Sequence, residues 1–220
     1  MLICAEFLFV TTSVDGKRLA GPQGLDLALA GAVLGELAAY QRVAVEGGRL
    51  VTLDARPGGD PLLDHALGVL AQKAGKKPER ALPALAKGMT GRTYQRLMAE
   101  GAVRREEGGF LRPERHPVVD PTARQALIDA GGRVLAGIAR PDLHTGTLIA
   151  LLAAVGAVAK VYDAKQFGVS GHELKKRAKA VAEQDWATGA AAAAIRSAQA
   201  ATTAAMVAVS VATSAAVVTG

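Results

Sequence analysis

The chain has 220 residues, 50% of them hydrophobic, and a formal net charge of +6 at pH 7. Its single cysteine, Cys4, excludes an internal disulfide and a cysteine-based metal site within one chain, which fits a reducing compartment. Aromatic residues make up only 4%, so we expect a core of small aliphatic side chains packed mainly in helices. The positive charge favours an anionic partner and does not indicate a fold.

The first third of the chain predicts two buried helices, a hairpin and a third helix. The helices follow from apolar runs bounded by Gly and Pro. The hairpin follows from two alternating runs that meet at Gly47 and Gly48, where a tight turn needs positive φ. Asp60 stands before Pro61, which is the pattern of a capped helix. The predicted elements are helices at 2–10, 25–40 and 61 to about 73, and the hairpin at 42–54.

The middle third predicts two short helices followed by a second hairpin. The helices lie within 77–88 and 89–101, and the hairpin within 103–118 turns at Gly108 and Gly109. A helix pair followed by a protruding hairpin resembles a winged-helix element. The sequence therefore predicts a mainly α fold, a single helical domain with short β-hairpins.

The last third is helical up to an abrupt change in composition. Helices are predicted within 122–137, which Asp120 and Pro121 precede, within the very apolar 142–162, and within the charged, amphipathic 172–186. The last 34 residues hold 15 alanines and one charge, Arg196. We therefore expect a helical domain at 1–186 and an Ala-rich helical tail at 187–220. The tail either packs on the core, self-associates or enters the membrane.

The sequence contains no recognisable catalytic or metal-binding motif. The four histidines are dispersed, no zinc-ligand spacing or phosphate-binding loop occurs, and no serine stands in a nucleophile motif. Asp60 and Asp64 are one helical turn apart, but a helix cap explains Asp60 better than paired catalytic carboxylates do. We expect no enzyme activity, cofactor or metal, and we expect the histidines at the surface or at helix caps.

The distribution of charge carries the functional prediction. Between residues 73 and 105, nine basic residues stand against two acidic ones, a local balance of +7. Arg92 and Arg96 share a helix face, and Lys87 lies just before that helix, so the three suit phosphate recognition. A solvated basic surface without a specific ligand is the alternative. Nucleic acid is disfavoured, because Tyr94 is the one aromatic available for stacking and few side chains there read base edges.

Several strings together identify a family resemblance. They are AEFLFV, LAGAVLGELA, GDPLLDHAL, EGAVRREEGGFL followed by HPV, TGTLIALLAAVG and RAKAVAEQDWA. In their order from about residue 2 to 186, they resemble the Golgi phosphoprotein 3 family, and specifically its shorter bacterial members. The resemblance implies a mostly helical domain with a protruding hairpin and no enzyme activity. Eukaryotic members are peripheral Golgi proteins that bind phosphatidylinositol 4-phosphate.

The lipid ligands of eukaryotic members correspond only in part to residues of this chain. Their tryptophan falls near Gly21, one arginine at Ala30, and a pair of arginines at Lys87 and Thr90. Only Lys87 keeps the charge. The resemblance therefore implies general attraction to anionic lipid more than selective phosphoinositide recognition. The predicted lipid-phosphate-binding residues are Lys87, Thr90, Arg92 and Arg96.

The family hairpin, which mediates oligomerisation in some members, corresponds to residues around 103–118. Phe110 and Leu111 on this hairpin are expected to contact either a membrane or a partner subunit. Taken together, the sequence predicts a cytoplasmic protein, peripheral at the inner face of the membrane, that binds an anionic phospholipid surface. A winged-helix nucleic-acid-binding protein and a structural protein that homo-oligomerises are the alternatives.

Overall fold

The computed structural model describes residues 1–22, 24–109, 113–184, 200 and 202–204. The chain divides into two compact units. Unit 1 comprises Met1–Gly21 and Thr90–Trp186, and unit 2 comprises Pro22–Met89 and Ala187–Gly220. The prediction of one domain at 1–186 with a separate tail stays a prediction.

The mainly α fold is confirmed, and the helix bounds agree with those predicted to within a few residues. Gly156, with φ +67, interrupts the long apolar run and divides it into two helices. In chain order the elements are α1 (Ile3–Val10), α2 (Leu25–Ala39), β1 (Val43–Glu46), β2 (Arg49–Thr52), α3 (Pro61–Ala71), α4 (Pro78–Leu85), α5 (Met89–Ala99), α6 (Pro121–Leu135), α7 (Leu143–Ala154), α8 (Val158–Val161), a 3-10 helix (Ala164–Phe167) and α9 (Gly171–Glu183).

In unit 1 the core forms around α7, which packs against α1, α6 and α9. Every side chain of α1 is buried, and α9 buries Leu174, Ala178 and Val181 along one face. This spacing of three and four residues is the stripe expected of an amphipathic helix, and it leaves the Lys-rich face of α9 to solvent.

In unit 2, α2 packs against α3, α4 and β1. The predicted first hairpin is confirmed: β1 and β2 are antiparallel, with Glu46 paired with Arg49 across Gly47 and Gly48. Both glycines have positive φ, as a two-residue turn requires. Asp60 accepts hydrogen bonds from the backbone N–H groups at the start of α3, so the predicted cap is also confirmed.

One contact in unit 2 involves the Ala-rich tail. Residues 200 and 202–204 are helical, and the Thr202 side chain lies so close to Gly31 of α2 that a Cβ there would overlap it. Most of the tail lies outside the described residues, so its predicted packing, self-association or membrane entry stays a prediction. Within the described ranges, no helix combines the length and the apolar character needed to cross a bilayer.

The Tyr162 hydroxyl leads to a stability prediction for unit 1. Tyr162 is only 2% exposed, and its hydroxyl has no hydrogen-bond partner among the described residues. Burial raises the pKa of Tyr162. Because an unpartnered buried hydroxyl costs free energy, we expect Tyr162→Phe to raise the free energy of unfolding by about 1 kcal/mol in urea denaturation.

Tyr94→Phe is the matched control in the same unit. The Tyr94 and Thr12 hydroxyls lie 3.0 Å apart and are hydrogen bonded. Removing the Tyr94 hydroxyl is therefore expected to lower the free energy of unfolding by about 1 kcal/mol. Equal losses in the two variants would contradict the assignment of Tyr162 as unpartnered.

Candidate anion-binding surface

The structure divides the basic segment 73–105 into neutralised and unneutralised parts. Three of its nine cations form ion pairs: Arg96 with Glu100 at 3.0 Å, Arg104 with Glu106 at 2.8 Å, and Arg105 with Glu114 at 2.6 Å. Within the described residues, the other six make no ion pair. These six are Lys73, Lys76, Lys77, Arg80, Lys87 and Arg92. The unneutralised charge therefore lies in the N-terminal part of the segment, from 73 to 92.

Helix α5 holds three of the predicted ligands. Its buried residues, which include Thr93 and Leu97, fix the inner face of the helix. Arg92 consequently points to solvent, while Thr90 is half-buried. Arg96 is half-buried, and its guanidinium donates to Glu100 one turn later, which competes with the predicted phosphate contact. Arg92 is thus the α5 cation that is exposed and makes no ion pair within the described residues.

Lys87 is exposed and lies between α4 and α5. Gly88 follows it with φ +70, a conformation suited to glycine that lets the chain leave α4 and start α5. Lys87 belongs to unit 2, whereas the other three predicted ligands belong to unit 1. The two remaining family positions differ in exposure, since Ala30 is fully buried in α2 and Gly21 is exposed.

The predicted second hairpin is present as two arms that pair antiparallel. The arms form isolated antiparallel bridges, Val103 with Val118 and Glu106 with Arg115, instead of a continuous ladder. A proline has no N–H to donate, and Pro117 accordingly contributes only its carbonyl, which accepts from the Arg104 N–H.

The base of this hairpin is clamped by the loop that follows α1. The His116 N–H donates to the Gly16 carbonyl, and the Val118 N–H donates to the Val14 carbonyl. The loop therefore holds the second arm of the hairpin in unit 1. Phe110 and Leu111 lie outside the described residues, so their membrane or oligomer contact stays a prediction.

His116 is buried at the hairpin base, which corrects the expectation that each histidine lies at the surface or at a cap. Its ring stacks on Tyr94 with the centroids 3.7 Å apart and an interplanar angle of 8°. Its Nε2 lies 3.3 Å from a Glu114 carboxylate oxygen. Burial lowers the pKa of His116, and Glu114 offsets part of that effect. Burial therefore favours the neutral ring, which packs the hairpin on α5.

Tyr94 is only 4% exposed, with one ring face covered by His116. Burial raises the pKa of its hydroxyl, which is held by Thr12. The side chain therefore offers no exposed ring on which a nucleic-acid base can stack. Tyr94 therefore has a structural role and does not support nucleic-acid binding.

Two acidic side chains outside the basic segment, those of Asp64 and Glu6, also have partners within the fold. Asp64 accepts from the N–H groups of Gly58 and Gly59 at 2.6 and 3.0 Å, so it closes the loop before α3 and does not pair with Asp60. Buried Glu6 on α1 binds His144 Nδ1 of α7 at 3.0 Å. In the part of the chain that the structure describes, no three His, Cys, Asp or Glu residues converge on a metal position.

A comparison with known families gives a match over most of the chain. The model of the Golgi phosphoprotein 3 (GPP34) family matches residues 3–198. No curated protein matches the chain. The matched range runs from α1 through α9 and contains the basic segment together with the hairpin arms. It agrees with the resemblance that the ordered sequence strings indicated.

Proposed function

The chain belongs to the Golgi phosphoprotein 3 family, and on this basis we propose that it is a non-catalytic peripheral membrane protein that binds anionic phospholipid headgroups. The observation that carries the proposal is the group of six cations between 73 and 92 that make no ion pair within the described residues. An anionic headgroup would provide the countercharge that these side chains lack. Each basic residue near such a surface contributes about 1 kcal/mol.

The proposed headgroup contacts are Lys87, Thr90, Arg92 and Arg96. Lys87 and Arg92 supply charge, and they flank the start of α5, where the helix dipole is positive. Thr90 can offer only a hydroxyl where family members carry a second arginine, and Arg96 shares its guanidinium with Glu100. Two exposed cations favour anionic lipid in general over one particular phosphoinositide. The protein would then act at the cytoplasmic, inner face of the membrane.

Vesicle co-sedimentation at physiological salt tests the proposal. We expect binding to phosphatidylcholine vesicles that contain phosphatidylserine, and none to pure phosphatidylcholine. Phosphatidylinositol 4-phosphate at matched surface charge should bind equally well. The double variant Lys87→Gln, Arg92→Gln should bind about 30-fold more weakly, because it removes two charges worth about 1 kcal/mol each.

The matched control is the double variant Lys175→Gln, Lys176→Gln. Both lysines are exposed on α9 and make no ion pair among the residues described, so the loss of net charge is the same. This control should bind nearly as well as the wild type. Equal weakening of the two double variants would show a net-charge effect and not a site. Equal binding of the wild type to neutral vesicles would overturn the proposed function.

A further inference from the structure

Two turns of unit 2 lie side by side. The Leu50 N–H of β2 donates to the Lys76 carbonyl, and the Gly75 N–H donates to the Leu50 carbonyl, each at 2.8 Å. Leu50 is itself buried, which anchors the pair to the unit 2 core. The connection between α3 and α4 is thereby held against the end of the β1–β2 hairpin.

These two turns bring together five cations that are not contiguous in sequence. Arg49 on β2 donates to the Gly75 carbonyl at 2.8 Å, so its guanidinium lies against the backbone of the turn that carries the lysines. All but Lys73, which is half-buried, are exposed. The turns contribute only two acids, Glu46 and Glu79. We call the five cations the turn surface: Arg49, Lys73, Lys76, Lys77 and Arg80.

The cations of the turn surface outnumber the acids of the two turns. Within the described residues, its four members from 73 to 80 make no ion pair. Arg49 binds a neutral carbonyl and stands opposite Glu46 in the hairpin register. Five cations against two acids leave an excess of three positive charges. Such an excess attracts an anionic partner to both turns.

The chemistry of the turns favours a membrane over a nucleic acid or a peptide. Neither 46–49 nor 73–80 contains an aromatic residue, an asparagine or a glutamine, so the turns lack rings on which bases stack and the amides that read adenine. Leu50, on the outer edge of β2, already uses its N–H and carbonyl, which blocks a peptide from adding as a strand at that point. The two turns therefore present positive charge without those rings and amides and without an open strand edge at Leu50, and such charge suits a diffuse layer of lipid phosphates.

We propose that the turn surface is a second membrane contact, which docks unit 2 on an anionic leaflet. This inference rests on the proposed function, and it assigns part of the binding to Arg49 and to the connection between α3 and α4. If the protein were held through Lys87 and Arg92 alone, the turn surface would add nothing to its affinity for the membrane. With both contacts, binding depends on the general density of anionic lipid.

The test uses the full chain and phosphatidylcholine vesicles that contain phosphatidylserine. The double variant Lys76→Gln, Lys77→Gln removes two exposed charges without disturbing the backbone bonds at Leu50. We expect vesicle affinity to fall about 30-fold, and Arg49→Gln alone to lower it about fivefold. The double variant Lys175→Gln, Lys176→Gln again controls for net charge. Unchanged thermal unfolding by circular dichroism would show that each variant folds.

The outcomes separate this inference from the proposed function. Wild-type binding that depends on Lys87 and Arg92 but not on Lys76 and Lys77 would overturn the turn surface alone. Absence of wild-type binding to anionic vesicles would overturn both. If the double variant Lys76→Gln, Lys77→Gln kept its vesicle affinity but lost affinity for single-stranded RNA, the turn surface would be assigned to nucleic acid. That outcome would contradict the inference. Selective loss of vesicle binding in the turn variants supports it.

Discussion

Replacing Gly16 by alanine is expected to lower the free energy of unfolding by about 3 kcal/mol. Gly16 has φ +81, and a Cβ on it would lie 2.5 Å from the Pro117 nitrogen and 2.7 Å from two backbone atoms of His116. Neither contact can be relieved by turning a side chain, because each of these atoms belongs to the backbone. The substitution should therefore separate the loop after α1 from the hairpin base.

Two other glycines of unit 1 separate the two causes of that loss, which are the positive φ and the overlap of the added Cβ with backbone atoms. Gly101 has φ +71 but open space around its Cβ position, so Gly101→Ala should cost only about 1 kcal/mol. Gly21 has neither positive φ nor a close neighbour, and Gly21→Ala should change stability by less than about 0.5 kcal/mol. Urea denaturation of the three variants measures the series. A loss for Gly16→Ala no larger than that for Gly101→Ala would contradict the clamp.

The elements that the sequence predicted well are those whose signals are local. Asp60 and Asp120 each precede a proline, and each side chain accepts from two N–H groups of the helix that follows. The hairpin around Gly47 and Gly48 was equally clear, because a two-residue turn between alternating runs has few other interpretations. Cap and turn chemistry depends on neighbours within about four residues, so no knowledge of the fold is needed.

The candidate site was harder to predict because ion pairing decides which cations are available. The pair of Arg96 with Glu100 has the i,i+4 spacing, and it could have been predicted from the sequence. The pair of Arg105 with Glu114 crosses the hairpin and depends on how its two arms align. A count of charges along the chain therefore overstated the number of cations in the basic segment that are available to a ligand. It also missed Arg49, which joins Lys76 and Lys77 only through contacts between distant residues.

The same reasoning applies to His116, which was expected at the surface or at a cap and is buried. Its position is set by bonds to Gly16 and by stacking on Tyr94, residues far from it in sequence. The bonds at Gly16 and Val14 bring the loop after α1 against the hairpin. Long-range pairing of this kind leaves little trace in local periodicity, which is why the sequence did not predict the buried position of His116.

The Arg124 side chain leads to the second large stability effect. It lies half-buried near the start of α6 and donates to the Val10 carbonyl at 2.8 Å and to the Thr12 carbonyl at 2.7 Å. Burial lowers the pKa of its guanidinium. These carbonyls stand at and just beyond the C-terminus of α1, where helix carbonyls lack partners within the helix.

We expect Arg124→Ala to lower the free energy of unfolding by about 3 kcal/mol, because two charge-assisted hydrogen bonds are lost and two carbonyls are left without this donor. Arg124→Lys should recover only part of that loss, since one ammonium group does not reproduce the fork of a guanidinium. Arg133→Ala is the control on α6, because Arg133 is exposed. Urea denaturation compares all three variants. An equal loss for Arg124→Ala and Arg133→Ala would mean that the link from α6 to α1 does not account for the effect.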